Sequence, residues 1–141
     1  MTIEIETELK PNYVQVYCRG VLKSDAMLKD WQRAFRIGVS EGRDAVLIDI
    51  RGLQGEPPTV SERYDLGVRI AEHQSQFAKN ILIAVVGNEP MIEPERLAEN
   101  IARNHGAVIG IFTDLVEAVH WIEAEVANVR AREKFLHWNR V

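Results

Sequence analysis

The sequence lacks the features that define several protein classes. Its single cysteine, Cys18, excludes an intrachain disulfide and a cysteine-based zinc cluster. No apolar run approaches the roughly 18 residues of a transmembrane helix. The first residues, Met1-Thr2-Ile3-Glu4-Ile5-Glu6, have neither the basic start nor the apolar stretch of a signal peptide. Basic residues are too few for a positive face, with 17 Lys and Arg against 21 Asp and Glu and a formal net charge of −4. That balance speaks against nucleic acid and anionic membrane surfaces as partners. The patterns G-x-G-x-x-G, G-x-x-x-x-G-K-[ST] and G-x-S-x-G are all missing, so dinucleotide, nucleoside triphosphate and serine-hydrolase chemistry lose their main support. His73, His105, His120 and His137 never fall four residues apart or beside a second ligand at metal spacing. No cofactor, metal or membrane span is expected, and the chain reads as a cytoplasmic domain.

What is present is the periodicity of a layered α/β domain. At 141 residues and 46% hydrophobic, the chain fits one domain able to bury a core without staples. Ile3, Ile5 and Leu9 alternate before Lys10-Pro11-Asn12, and Val14, Val16 and Cys18 alternate after it, predicting a hairpin with one face buried. Cys18 lies on that face as a small core residue. Met27, Leu28, Trp31, Ala34, Phe35 and Val39 recur at helical spacing, predicting a helix over about 25–40 that Ser24 or Asp25 caps and Gly42 ends. Three runs, 45–50, 81–86 and 107–112, are apolar at nearly every position, as in strands covered on both faces. Helical stretches at about 60–77 and 94–104 separate them. A last helix opens at Thr113-Asp114, with Glu117 placed to reach back as a capping box. Strands alternating with helices call for right-handed crossovers. The expected fold is a single α/β domain, with a mixed, mostly parallel sheet of about five strands and about four helices, over residues 1–126. Residues 127–141 form a basic, aromatic extension with Arg130, Arg132, Lys134, Phe135, Leu136, His137, Trp138 and Arg140. This extension either packs back on its own domain or, through Phe135, Leu136 and Trp138, contacts a partner or a second copy, and a homodimer is expected.

Ligands of open α/β sheets bind beyond the carboxyl ends of the parallel strands. The richest such segment runs from Asp49 to Arg63. Asp49 orders it by bonding backbone amides, and Gly52 and Gly55 permit a tight path. Thr59-Val60-Ser61-Glu62 reads as a capping box. A helix N-terminus flanked by Arg51 and Arg63 is also an anion site, with Thr59 and Ser61 as accessible hydroxyls and Tyr64 as a further binding candidate. An enzyme built on Asp49, Glu56 and His105 would need three separate loops to converge, and no catalytic residue is expected.

The stretch Asp49-Ile50-Arg51-Gly52 with Thr59-Val60-Ser61, the strand Ile81–Val86, and Ala102-Arg103-Asn104-His105-Gly106 leading to Ile111-Phe112-Thr113-Asp114…Ala118…Trp121-Ile122 together carry a resemblance. Over residues 3–126 the chain resembles the SpoIIAA-like branch of the STAS (sulfate transporter and anti-sigma factor antagonist) superfamily. The resemblance implies a four- or five-stranded sheet with helices, no intrinsic catalysis, and a regulatory, protein-binding role. In anti-sigma factor antagonists the loop before the second helix carries an Asp-Ser-Ser-Gly-type motif whose serine a partner kinase phosphorylates. Here that loop reads Pro57-Pro58-Thr59-Val60-Ser61-Glu62, which keeps hydroxyls but not the motif. The SpoIIAA-like branch is also similar to the lipid-binding Sec14 fold, which implies as the alternative a carrier or sensor of a small apolar or amphipathic ligand.

Overall fold

The computed structural model describes residues 3–77 and 81–138. Arg140, counted above with the basic extension, lies outside the described residues. The elements run β1 (Glu4–Leu9), β2 (Val14–Leu22), α1 (Met27–Ser40), β3 (Ala45–Gly55), α2 (Val60–Phe77), β4 (Leu82–Val86), α3 (Leu97–Asn104), β5 (Ile109–Phe112) and α4 (Leu115–Trp138). They form one five-stranded sheet in the order β1-β2-β3-β4-β5. β1 is antiparallel to β2 and every later pair is parallel, which is the predicted architecture.

The strand order dictates the layers. Each parallel crossover steps in the same direction across the sheet, and crossovers of one hand stepping one way put their helices on one face. Accordingly Ala34 and Phe35 of α1, Ile70 and Ala71 of α2, and Ala98 and Ala102 of α3 share one core with Val16, Val46, Ile48, Ile83, Val85 and Ile109. The alternate strand residues, Ala45, Leu47, Leu82, Ala84 and Val86, pack on the other face against Ala118, Ile122 and Val126 of α4. The central runs are apolar at both parities because both faces are covered. α2 and α3 approach closely at Gly67, where a Cβ would lie 2.7 Å from Ile101 Cβ and 2.8 Å from the Ala98 carbonyl oxygen.

Three expectations change. Leu9 is exposed rather than on the buried face, because β1 is an edge strand flanked on one side only. Neither Ser24 nor Asp25 caps α1: both sit in a short 3-10 turn closed by Ala26 N–H to the Lys23 carbonyl at 3.0 Å, and α1 starts after Ala26 without a side-chain cap. The strand expected over 45–50 runs on through 51–55, a stretch read as loop. The extension after 126, expected either to pack back or to meet a partner, continues α4 as helix to Trp138, and its residues from Arg130 to Trp138 are exposed.

Candidate functional site

β3 overruns the sheet. β4 ends at Val86 opposite Asp49, yet β3 continues to Gly55 with only β2 beside it, pairing Arg19–Leu22 with Gly52–Gly55. At the start of this two-stranded ribbon the register slips: from Tyr17↔Asp49 to Arg19↔Gly52, β2 advances two residues and β3 three. An extra residue of this kind is a β-bulge, and it reverses the alternation beyond it. Ile48 before the slip and Leu53 after it therefore line the same cavity, on the side of α1 and α2, together with Ile50 inside the slip.

Asp49 holds the bulge. The residue is 3% exposed, and its carboxylate accepts from Arg51 N–H at 3.1 Å, Arg51 Nε at 3.0 Å, Arg51 Nη2 at 2.7 Å and Gln15 Nε2 at 3.0 Å. Burial alone pushes this carboxyl upward, but the hydrogen bonds from Arg51 and Gln15 outweigh it and hold Asp49 below the usual carboxylate range. The same pairing raises the Arg51 guanidinium. Asp49 does bond a backbone amide, as expected, but inside a strand rather than a loop.

The start of α2 lies across the sheet from this pair. Glu62 N–H donates to Thr59 Oγ1 at 3.2 Å and Thr59 N–H donates to Glu62 Oε1 at 2.9 Å, the reciprocal bonds of a capping box. The Thr59 amide, with smaller help from the Thr59 and Ser24 hydroxyls, lowers the Glu62 carboxyl. Thr59, Val60, Ser61 and Tyr64 are all exposed. Arg63 turns the other way: Nε donates to the Pro58 carbonyl at 3.1 Å, Nη1 to Met91 at 2.9 Å and Nη2 to Pro90 at 3.0 Å. It clamps the loop before α2 to the loop after β4. The expected cradle of two arginines around Thr59 and Ser61 is therefore not assembled, because Arg51 is engaged by Asp49 and Arg63 by backbone carbonyls.

Behind Arg63 lies an apolar cavity of about 100 Å³. Its floor is Cys18, Ile48 and Ile50, with Trp31 and Ala34 of α1 on one wall and Leu66 and Ile70 of α2 on the other. Leu53 and Met91 close the end toward the ribbon and the β4–α3 loop. Burial first, then the nearby Asp49 charge, pushes the Cys18 thiol up to about 12, as for a core cysteine.

The geometry can now be set beside known proteins. The crystal structure of an anti-sigma factor antagonist from Mycobacterium paratuberculosis matches with a TM-score of 0.57 at 13% identity, over 86% of this chain and 95% of that one. The chain has the STAS-like fold. No family model matches the sequence, and no curated protein does.

Within the STAS-like fold the sequence-derived candidates fall into separate groups. Asp49 and Arg51 face the α4 side of the sheet. Thr59, Ser61 and Tyr64 form one exposed patch at the start of α2, beside Val60, which is 73% exposed. Phe135, Leu136 and Trp138 project on the free end of α4, where Trp138 is 78% exposed; the helix is tied down last by Arg130 Nη2 to Asp44 Oδ2 at 2.7 Å. His105 caps the end of α3, its Nδ1 2.9 Å from the Ile101 carbonyl oxygen, while Asp49 is occupied by Arg51 and Gln15. Sequence reasoning missed Asp30, a buried carboxylate of α1 that lines the cavity. The signal was available: Asp30 falls three residues after Met27 and four before Ala34, inside the apolar stripe.

Proposed function

We propose that the chain is a non-enzymatic regulatory module that acts by binding a protein partner through the exposed start of α2. The observation that carries this reading is the patch of Thr59, Val60, Ser61 and Tyr64, in which two hydroxyls flank exposed apolar surface, on a fold shared with an anti-sigma factor antagonist. Exposed apolar groups beside modifiable hydroxyls suit a contact that a kinase can switch. A phosphate on Thr59 adds about −1.5 to −2 charges beside the Glu62 carboxylate that accepts the Thr59 amide. Like charges at that distance expel Glu62, dismantle the capping box and change the shape the partner meets. The free end of α4, with Phe135, Leu136 and Trp138, is the second contact, toward a partner or a second copy, and the module works in the cytoplasm.

Mass measurement of the protein purified from its own cells, first native and then denatured, tests this reading. A phosphate that survives denaturation and maps to Thr59 or Ser61 supports the switch. A bound protein retained by the unaltered chain and released by Val60→Glu or Tyr64→Ala supports the contact. Retention unchanged by Val60→Glu, Tyr64→Ala, Thr59→Ala and Ser61→Ala would sink it. A second reading, a carrier or sensor of a small apolar ligand, is favoured by the cavity between α1 and α2.

A further inference from the structure

At 24 residues, α4 is the longest helix among the described residues, and the domain uses only one side of it. Ala118, Ile122 and Val126 pack on the sheet. At 3.6 residues per turn, the opposite side carries Val116, Ala124, Ala127, Ala131 and Trp138 in one line, with Phe135 at its margin. All six are exposed, and Val116 and Phe135 are 60% and 66% exposed. Large apolar groups thus stand at the two ends of the line, with alanines between them, and a contiguous apolar surface of this kind marks an interaction site. Charge is also sorted along the helix. Glu117, Glu123 and Glu125 lie in its first half; Arg130, Arg132 and Lys134 lie in its second, beside one acid, Glu133. The macrodipole favours acids in the first turn and bases in the last, but Glu123 stands in mid-helix, beyond its reach. Arg130 already holds Asp44 at 2.7 Å. Glu123 and Lys134 are both exposed; about three full turns separate them, so they flank the apolar line on the same side.

We propose that the outer face of α4 pairs with the same face of a second copy of this chain, antiparallel, about a two-fold axis near Ala127. The inference rests on the α4 contact of the proposed function and names its occupant and its geometry. A two-fold contact must be self-complementary, each patch meeting its own copy, and this face is. Antiparallel pairing lays Phe135 and Trp138 of one copy on the Val116 end of the other, along about 33 Å of helix at 1.5 Å per residue. The alanines at the centre let the two backbones approach closely. Such an axis brings like flanks together, so Glu123 of each copy comes within a turn of Lys134 of the other, and the dimer gains two opposite-charge pairs. Parallel pairing would set Glu123 on Glu123 and Lys134 on Lys134, so charge selects the antiparallel arrangement. The sheet lies on the far side of each α4, which places the two domains on the outer sides of the helix pair, clear of one another.

The test is sedimentation equilibrium of the full chain at low salt, unaltered and with each charge reversed in turn. The unaltered chain is expected to dimerise. Glu123→Lys and Lys134→Glu each put two like-charge pairs into the dimer, and each is expected to weaken it by about tenfold. Mixed in equal amounts, the two variants are expected to associate with one another within about threefold of the unaltered chain, because the mixed pair again sets opposite charges together. That recovery also shows that neither variant has lost its fold. A chain that stays monomeric up to about 1 mM overturns the self-pairing and leaves the α4 contact to a different protein. A dimer that neither reversal weakens overturns the antiparallel arrangement. Weakening by both reversals with no recovery on mixing overturns the pairing of Glu123 with Lys134. The contact at the start of α2 is tested separately by Val60→Glu and stands or falls independently of these outcomes.

Discussion

Asp49 is a buried carboxylate whose worth depends on its charge. Its folded pKa lies below the ordinary value, so its contribution to stability is complete above the usual carboxylate range, near pH 4, and is lost as pH falls through the depressed folded value. Asp49→Asn is expected to lower stability at neutral pH by about 1–2 kcal/mol, tempered by the solvent around Arg51. It should also flatten the acid limb of the stability profile. Urea midpoints measured from neutral pH into acid check both. Thr59 and Ser61 separate in the same way. Thr59→Ala removes a cap and should cost about 1 kcal/mol, whereas Ser61→Ala should leave the midpoint within about 0.5 kcal/mol, so an effect of Ser61→Ala on partner binding cannot be a folding effect. Cys18, buried and with its thiol raised to about 12, is expected to resist thiol reagents at pH 8 until denaturant is added. Prompt labelling of the folded chain would contradict that.

Among elements, the contact between α2 and α3 depends on Gly67. Alanine there gains helix propensity of about 1 kcal/mol, but its Cβ would meet the Ala98 carbonyl oxygen at 2.8 Å, and a backbone atom cannot rotate aside. Gly67→Ala is therefore expected to destabilise by about 1–3 kcal/mol, and a rise in thermal midpoint would show that the helices separate freely. The strands were legible where burial was two-sided, as in Val46-Leu47-Ile48, because a covered segment must be apolar at both parities. The ribbon end of β3 was not. Arg51-Gly52-Leu53-Gln54-Gly55 has two glycines and a reversed alternation, and the extra residue that reverses it leaves no local mark. The capping box at Thr59 was readable because both partners lie within four residues. The clamp made by Arg63 was not, since its acceptors are carbonyls of Pro90 and Met91, which have no side-chain signature. Asp30 hid for a related reason: an aspartate on a helix usually faces water, and only its neighbours across the cavity reveal otherwise.

For the whole molecule, α4 has two halves with different duties. Ala118, Ile122 and Val126 seal one face of the sheet, while the helix beyond Arg130 covers nothing. Truncation after Arg130 is expected to leave the thermal midpoint unchanged within about 2 °C, and to abolish any concentration-dependent association measured by sedimentation if that end is the self-contact. Loss of stability on truncation would mean that the end packs on the domain after all. The strand order carries a consequence for synthesis. Every strand joins the one made just before it, so a chain leaving the ribosome can assemble its sheet and first three helices in the order they appear. The face formed by Leu47, Leu82, Ala84 and Val86 then waits for the last helix to be translated. Until Ile122 and Val126 emerge, a nascent chain that is otherwise folded presents a bare apolar face, and that interval is when a chaperone would have the most to hold.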